Sequence, residues 1–211
     1  MNRSVTIPIR MDANGIWLLR LMIDDVPLEA AIDTGSAELV ANARLCRRDS
    51  SDHGQEERVS FATQTHTVRW CRCECRIDAF SGSSAVVIRS GLMVGIAQTT
   101  CGATSYNVFG LAPSENRDRC LLRGLGVRDF AIHMGGGSGS GGSLVLNPGP
   151  PSPSALAVPL RGCYFFVASL YKNEEECVAQ DAACRVDTGS NLTYVPRGVL
   201  GEDPCTLQVV C

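Results

Sequence analysis

Two tetrapeptides in this sequence could do acid–base chemistry together: Asp33-Thr34-Gly35-Ser36 and Asp187-Thr188-Gly189-Ser190. They stand 154 residues apart, and each follows a β-branched residue, Ile32 or Val186. Two carboxyls brought within a few ångströms cannot both ionise easily, so such a pair keeps one proton over a wide pH range. The ionised member can take a proton from water while the protonated member polarises a carbonyl. Hydrolysis then runs through a tetrahedral intermediate with no covalent adduct. Gly35 and Gly189 permit close backbone approach, so that main-chain amides reach the carboxylates. Ser36 and Ser190 can donate to the outer oxygens and favour the charged form. A single copy is accounted for by an ordinary polar turn, where Asp, Gly and Ser are common. Two copies in matching contexts point to a duplicated site.

Other chemistry-bearing residues carry less. Cys71-x-Cys73-x-Cys75 has period two, so on a strand the three thiols share one face. With His66 nearby they could form half of a thiolate metal site. Bridges to the segments carrying Cys46, Cys101 or Cys120 fit the spacing better, because i and i+2 cysteines on a strand are poorly placed to bond each other. No metal ligand is assigned. His53, His66 and His133 show no nucleophile–base pattern, and no serine or cysteine sits in a nucleophile elbow. Gly137-Ser138-Gly139-Ser140-Gly141-Gly142 matches a dinucleotide fingerprint, but that fingerprint needs a helix after it, and strand-like Ser143-Leu144-Val145-Leu146 follows. The tract reads as a hairpin loop, and no cofactor is expected. Asn2-Arg3-Ser4 and Asn191-Leu192-Thr193 are glycosylation sequons, the second too close to Ser190 for a glycan to pack.

The elements that must position the two tetrapeptides are strands. Val5–Ile9, Trp17–Ile23 and Leu28–Ile32 come first, separated by Asn14-Gly15 and Asp24-Asp25, and Asn-Gly is a strong hairpin signal. Further runs lie at Arg58–Phe61, Thr67–Asp78, Ser84–Ile88, Val94–Thr99, Phe130–Met134, Ser143–Leu146 and Tyr164–Tyr171. One short helix fits, Arg119–Leu125, ended by Gly126. This pattern predicts an all-β fold. The Pro-rich run from Asn147 to Pro153 marks a boundary, giving one region over 1–147, a linker over 148–155 and a second region over 156–211.

Composition excludes several classes. With 211 residues, 45% apolar and 19% charged, the chain can bury a core and is not disordered. Net charge is -3, and Lys172 is the single lysine, so no basic nucleic-acid surface is expected. No apolar run reaches membrane-spanning length. Eleven cysteines favour an oxidising compartment, either secreted or an endomembrane or vacuolar lumen. The opening Met1-Asn2-Arg3-Ser4-Val5 shows no signal peptide.

The repeat and its surroundings resemble the pepsin-like aspartic proteases, in which two lobes each contribute one Asp-Thr-Gly loop. Val108-Phe109-Gly110-Leu111-Ala112 is similar to the strand that family threads beside its first loop. Asp129–Met134, the Gly tract and Ser143–Leu146 are similar to the hairpin that closes its first lobe. The resemblance implies a bilobal, all-β endopeptidase with Asp33 and Asp187 as the catalytic dyad. It also implies that Thr34 and Thr188 cross-link the loops, and that Cys177 and Cys184 close a small disulfide loop. Peptide or protein substrates would bind as an added strand between the lobes. Both copies lie in one chain, so a monomer is expected. A non-catalytic, peptide-binding relative is the alternative.

Three positions depart from that pattern. The flap that covers the family's cleft carries a Tyr-Gly pair, and its nearest match here is Phe61-Ala62, within Val59–Thr65. The tryptophan expected seven residues after the first Asp is Val40; losing both members of a Tyr–Trp hydrogen bond is self-consistent, since neither polar group is left alone. Gly110 lies 77 residues after Asp33, while 24 residues follow Asp187, so a shortened second lobe and weak or absent activity are expected.

Overall fold

The computed structural model describes residues 3–42, 56–61, 64–97, 106–135, 141–155, 158, 160, 164–172, 175–190 and 207–210, without the side chains of 60, 61, 64, 65, 172 and 207–210. The chain is nearly all β, as its periodicity predicts. Its strands are β1 (Val5–Met11), β2 (Trp17–Ile23), β3 (Val26–Asp33), β4 (Leu39–Asn42), β5 (Glu56–Phe61), β6 (Gln64–Ser81), β7 (Ser84–Ala97), β8 (Asn107–Gly110), β9 (Phe130–His133), β10 (Gly141–Leu146), β11 (Phe165–Lys172), β12 (Glu176–Arg185) and β13 (Leu207–Val210). One helical turn, α1 (Leu121–Gly124), sits between β8 and β9. Ten strands form one sheet in the order β5-β6-β7-β4-β8-β3-β2-β1-β10-β9, and β12-β11-β13 form a second.

Turn chemistry fixes the first hairpins. Asp24 and Asp25 both take positive φ, 46° and 65°, which makes a two-residue turn whose twist suits the antiparallel β2–β3 pair. The β1–β2 connection is wider than its Asn-Gly pair alone requires. It runs over Asp12–Ile16, and Asp12 gathers it by accepting from the amides of Asn14 and Ile16 and from the Tyr106 hydroxyl.

Alternation then builds the core. Ile7 and Ile9 of β1, Leu19, Leu21 and Ile23 of β2, Ile32 of β3, and Leu144 and Leu146 of β10 are all buried in one cluster. Strand β6 is long enough to serve two clusters with opposite faces. Its odd-numbered Cys73, Cys75, Ile77 and Ala79 join the main core, and its even-numbered Val68 and Trp70 pack with Val40 and Ala97 in a smaller one.

Several expectations are corrected here. Ser84–Ile88 and Val94–Ala97 belong to one continuous strand, β7, and strands β4, β12 and β13 lie outside the runs read from sequence. No disulfide joins the described cysteines; Cys73, Cys75 and Cys120 pack as apolar groups in the main core. Cys177 and Cys184 cannot bridge in this fold, because both lie on β12, seven residues and roughly 20 Å apart at strand rise, whereas a disulfide needs Cα atoms within about 7 Å. By the alternation of β6, His66 lies on the face opposite Cys71, Cys73 and Cys75. No metal-holding cluster occurs among the described residues. Cys46, Cys101, Asn2 of the first sequon, the whole Asn191-Leu192-Thr193 sequon and most of the Gly tract lie outside the described residues. Among the described residues no helix is long and apolar enough to cross a membrane.

Candidate active site

Strand β3 delivers Asp33 at its C-terminal end, with Ile32 and Ala30 wholly buried behind it. Parallel pairing with β8 sets Asp33 opposite Gly110. The connection continues beyond the strands: the Leu111 amide donates to the Asp33 carbonyl at 2.8 Å, and the Ala112 amide to the Ser36 carbonyl at 2.8 Å. The strand chosen by its apolar-apolar-Gly pattern therefore does hold the first loop.

The second tetrapeptide follows β12 and meets the first directly. Thr34 and Thr188 each donate a backbone amide to the other's hydroxyl, at 3.1 and 3.0 Å. The hydroxyls pass onward to carbonyls of the opposite segment, Thr34 to Val186 at 2.8 Å and Thr188 to Ile32 at 2.8 Å. Four hydrogen bonds thus cross between segments far apart in sequence. Tyr164, at positive φ, adds a fifth by donating its hydroxyl to the Leu111 carbonyl at 2.6 Å.

The cross-link brings Asp33 and Asp187 together. A methyl group on Gly35 would stand 2.8 Å from one Asp33 oxygen and 3.0 and 3.1 Å from the two oxygens of Asp187. One on Gly189 would stand 2.6 Å from the Asp33 carboxyl carbon. Both positions therefore require glycine through contact with the carboxyls. Asp33 accepts from the Gly35 amide at 2.6 Å and from the Ser36 hydroxyl, and Asp187 accepts from the Gly189 amide at 3.1 Å. Burial raises the Asp33 pKa above the ordinary carboxylate value. Ser36 and the Gly35 amide oppose that rise, and the neighbouring Asp187 carboxyl adds to it. Ser190 lies beside this pair, its amide directed at the Asp187 carbonyl at 3.5 Å.

The expected flap is a hairpin of β5 and β6 with Phe61 paired to Gln64 at its end. Ala62 lies outside the described residues, as does the Phe61 side chain. The base of this hairpin holds a group that sequence reading missed. Trp70 donates its indole N–H to Glu57 at 3.1 Å, Arg119 pairs with the same carboxylate, and the Arg119 guanidinium lies 4.4 Å over the Trp70 ring. The Arg119 hydrogen bond, more than any other contact, holds the Glu57 carboxyl below its usual range. Glu38, next to the first loop, is pushed up by burial and feels the charges of Arg119 and Glu57. Val40 packs against Trp70, so a tryptophan supplied by another strand sits beside the position where one was expected. The opposite parity of Trp70 and the three cysteines was the available signal.

Arg185 was missed as well. It lies two residues before Asp187, donates to the Gly35 carbonyl at 2.5 Å and rests 5.6 Å from the centre of the Phe165 ring.

No family model matches the chain, and no curated protein matches its sequence. Among solved structures it is similar to the aspartic proteinase from Irpex lacteus, at 14% identity and a TM-score of 0.65, over 93% of this chain. The chain spans 66% of that proteinase's length. At such identity the likeness establishes a shared fold.

Proposed function

We propose that the chain is an aspartic-type endopeptidase in which Asp33 and Asp187 share one proton and activate water. The observation that carries this reading is the convergence of two carboxyls, each held by its own Asp-Thr-Gly-Ser loop, in a fold shared with an aspartic proteinase. The more buried Asp33 is suited to hold the proton and polarise the scissile carbonyl. Asp187, exposed and in hydrogen-bond contact with the Gly189 amide, is suited to take a proton from water. Thr34, Gly35, Ser36, Thr188, Gly189 and Ser190 support the two carboxyls. Substrate is an extended peptide lying between two lobes divided at 148–155.

The test is cleavage of unfolded proteins and peptides at acid pH by the purified chain, against Asp33→Asn and Asp187→Asn. Loss of cleavage in both variants, with inhibition by a peptide bearing a hydroxyl at the position of the tetrahedral intermediate, supports the reading. Cleavage that survives either substitution refutes it. The alternative is a non-catalytic, peptide-binding relative that keeps the same two loops. Peptide binding without any turnover would select that alternative.

A further inference from the structure

We infer that Arg185 selects peptides carrying a carboxylate side chain next to the bond placed at Asp33 and Asp187, an assignment that rests on the peptide-site reading above. Four observations place it there. Arg185 is exposed and only two residues from Asp187. Its guanidinium reaches the carbonyl of Gly35, the residue whose Cα stands against both carboxyls. The Phe165 ring supports it at 5.6 Å, which fixes a long side chain that would otherwise lose rotamer freedom on binding. Among the described residues no carboxylate pairs with it, so its charge is open to a ligand.

A guanidinium carries five N–H donors, and one is directed at Gly35. The others form a planar fork that fits a carboxylate better than a neutral amide, because the ionised acceptor makes the stronger, shorter bonds. An apolar residue at this position would leave the same spot indifferent to charge. The preference is therefore electrostatic and weakens with added salt.

The test uses matched peptides differing only as Glu or Gln, placed on either side of a single scissile bond and assayed at pH 5, where a free Glu is largely ionised. Cleavage is measured for the unaltered chain and binding for Asp33→Asn, which binds without cutting. Expected is a preference of tenfold or more for one Glu peptide in both assays. It should be lost in Arg185→Met, retained in part in Arg185→Lys, and reversed toward a Lys-containing peptide in Arg185→Glu. A purely bracing role would lower activity on Glu and Gln peptides equally. That outcome, or equal binding of the two by Asp33→Asn, overturns the assignment and leaves the endopeptidase reading standing. Absence of both binding and cleavage overturns the two together. Near-ultraviolet circular dichroism confirms that each variant is folded.

Discussion

Thr34 and Thr188 hold each other by reciprocal bonds, each amide donating to the other's hydroxyl at 3.1 and 3.0 Å. Thr34 is buried, so Thr188→Val strands the Thr34 amide away from water. We expect a loss of about 1–3 kcal/mol in urea unfolding for that change. Thr34→Val should cost a similar amount, and the double variant less than the sum, since both remove one shared network. Strict additivity would show that the two bonds act separately.

Burial raises the Asp33 pKa, so its contribution to stability is complete below the ordinary carboxylate pKa and is lost as pH rises through the raised value. Asp33→Asn abolishes that loss. The variant should match the unaltered chain in thermal stability near pH 3 and exceed it at pH 7. A variant less stable at pH 7 would contradict the direction of the shift.

Ser36→Ala removes a hydrogen bond that favours ionised Asp33. The upper limb of the pH–activity profile should therefore move to higher pH, while cleavage at the optimum falls modestly. Carboxyl carbon chemical shifts measured across the same pH range would report the Asp33 titration directly.

Glu57 ties the base of the β5–β6 hairpin to Arg119 and Trp70. Its lowered pKa means that this tie is present above the ordinary carboxylate value and lost as pH falls through the lower one. Glu57→Gln should speed amide exchange across residues 56–61 and 64–70 several-fold at pH 6, and raise KM more than it lowers kcat. Unchanged exchange in the hairpin would show that the contact does not position it.

Cys73, Cys75 and Cys120 are buried in the core, whereas Cys177 is exposed. A thiol reagent should modify Cys177 within minutes in the native protein and the buried three only after unfolding. Cys73→Ser should cost about 1–3 kcal/mol, because a hydroxyl replaces an apolar contact.

Much of the site was legible because the chemistry is local: aspartate, threonine and glycine in one tetrapeptide carry the carboxyl, the cross-link and the close approach. The strand behind Asp33 was legible for the same reason, since apolar Val108 and Phe109 run directly into Gly110. Trp70, Glu57, Arg119 and Arg185 were not, because their roles depend on which strand faces which. Only the pairing of β5 with β6, the packing of the segment before α1 onto them, and the pairing of the second loop with the first make them neighbours. The cysteines misled in the opposite direction. Their number suggested bridges, while the alternation of β6 uses three of them as ordinary apolar side chains, and the placing of Cys177 and Cys184 on one strand forbids the expected loop.

The bonds between the two loops join segments 154 residues apart within a single polypeptide. Joining the halves in one chain replaces a bimolecular encounter by an intramolecular one at an effective concentration on the order of millimolar. Assembly of the dyad should then be first order and insensitive to dilution. The same contacts, cut free of their tether, would hold only at protein concentrations far above those at which the intact chain keeps its site closed.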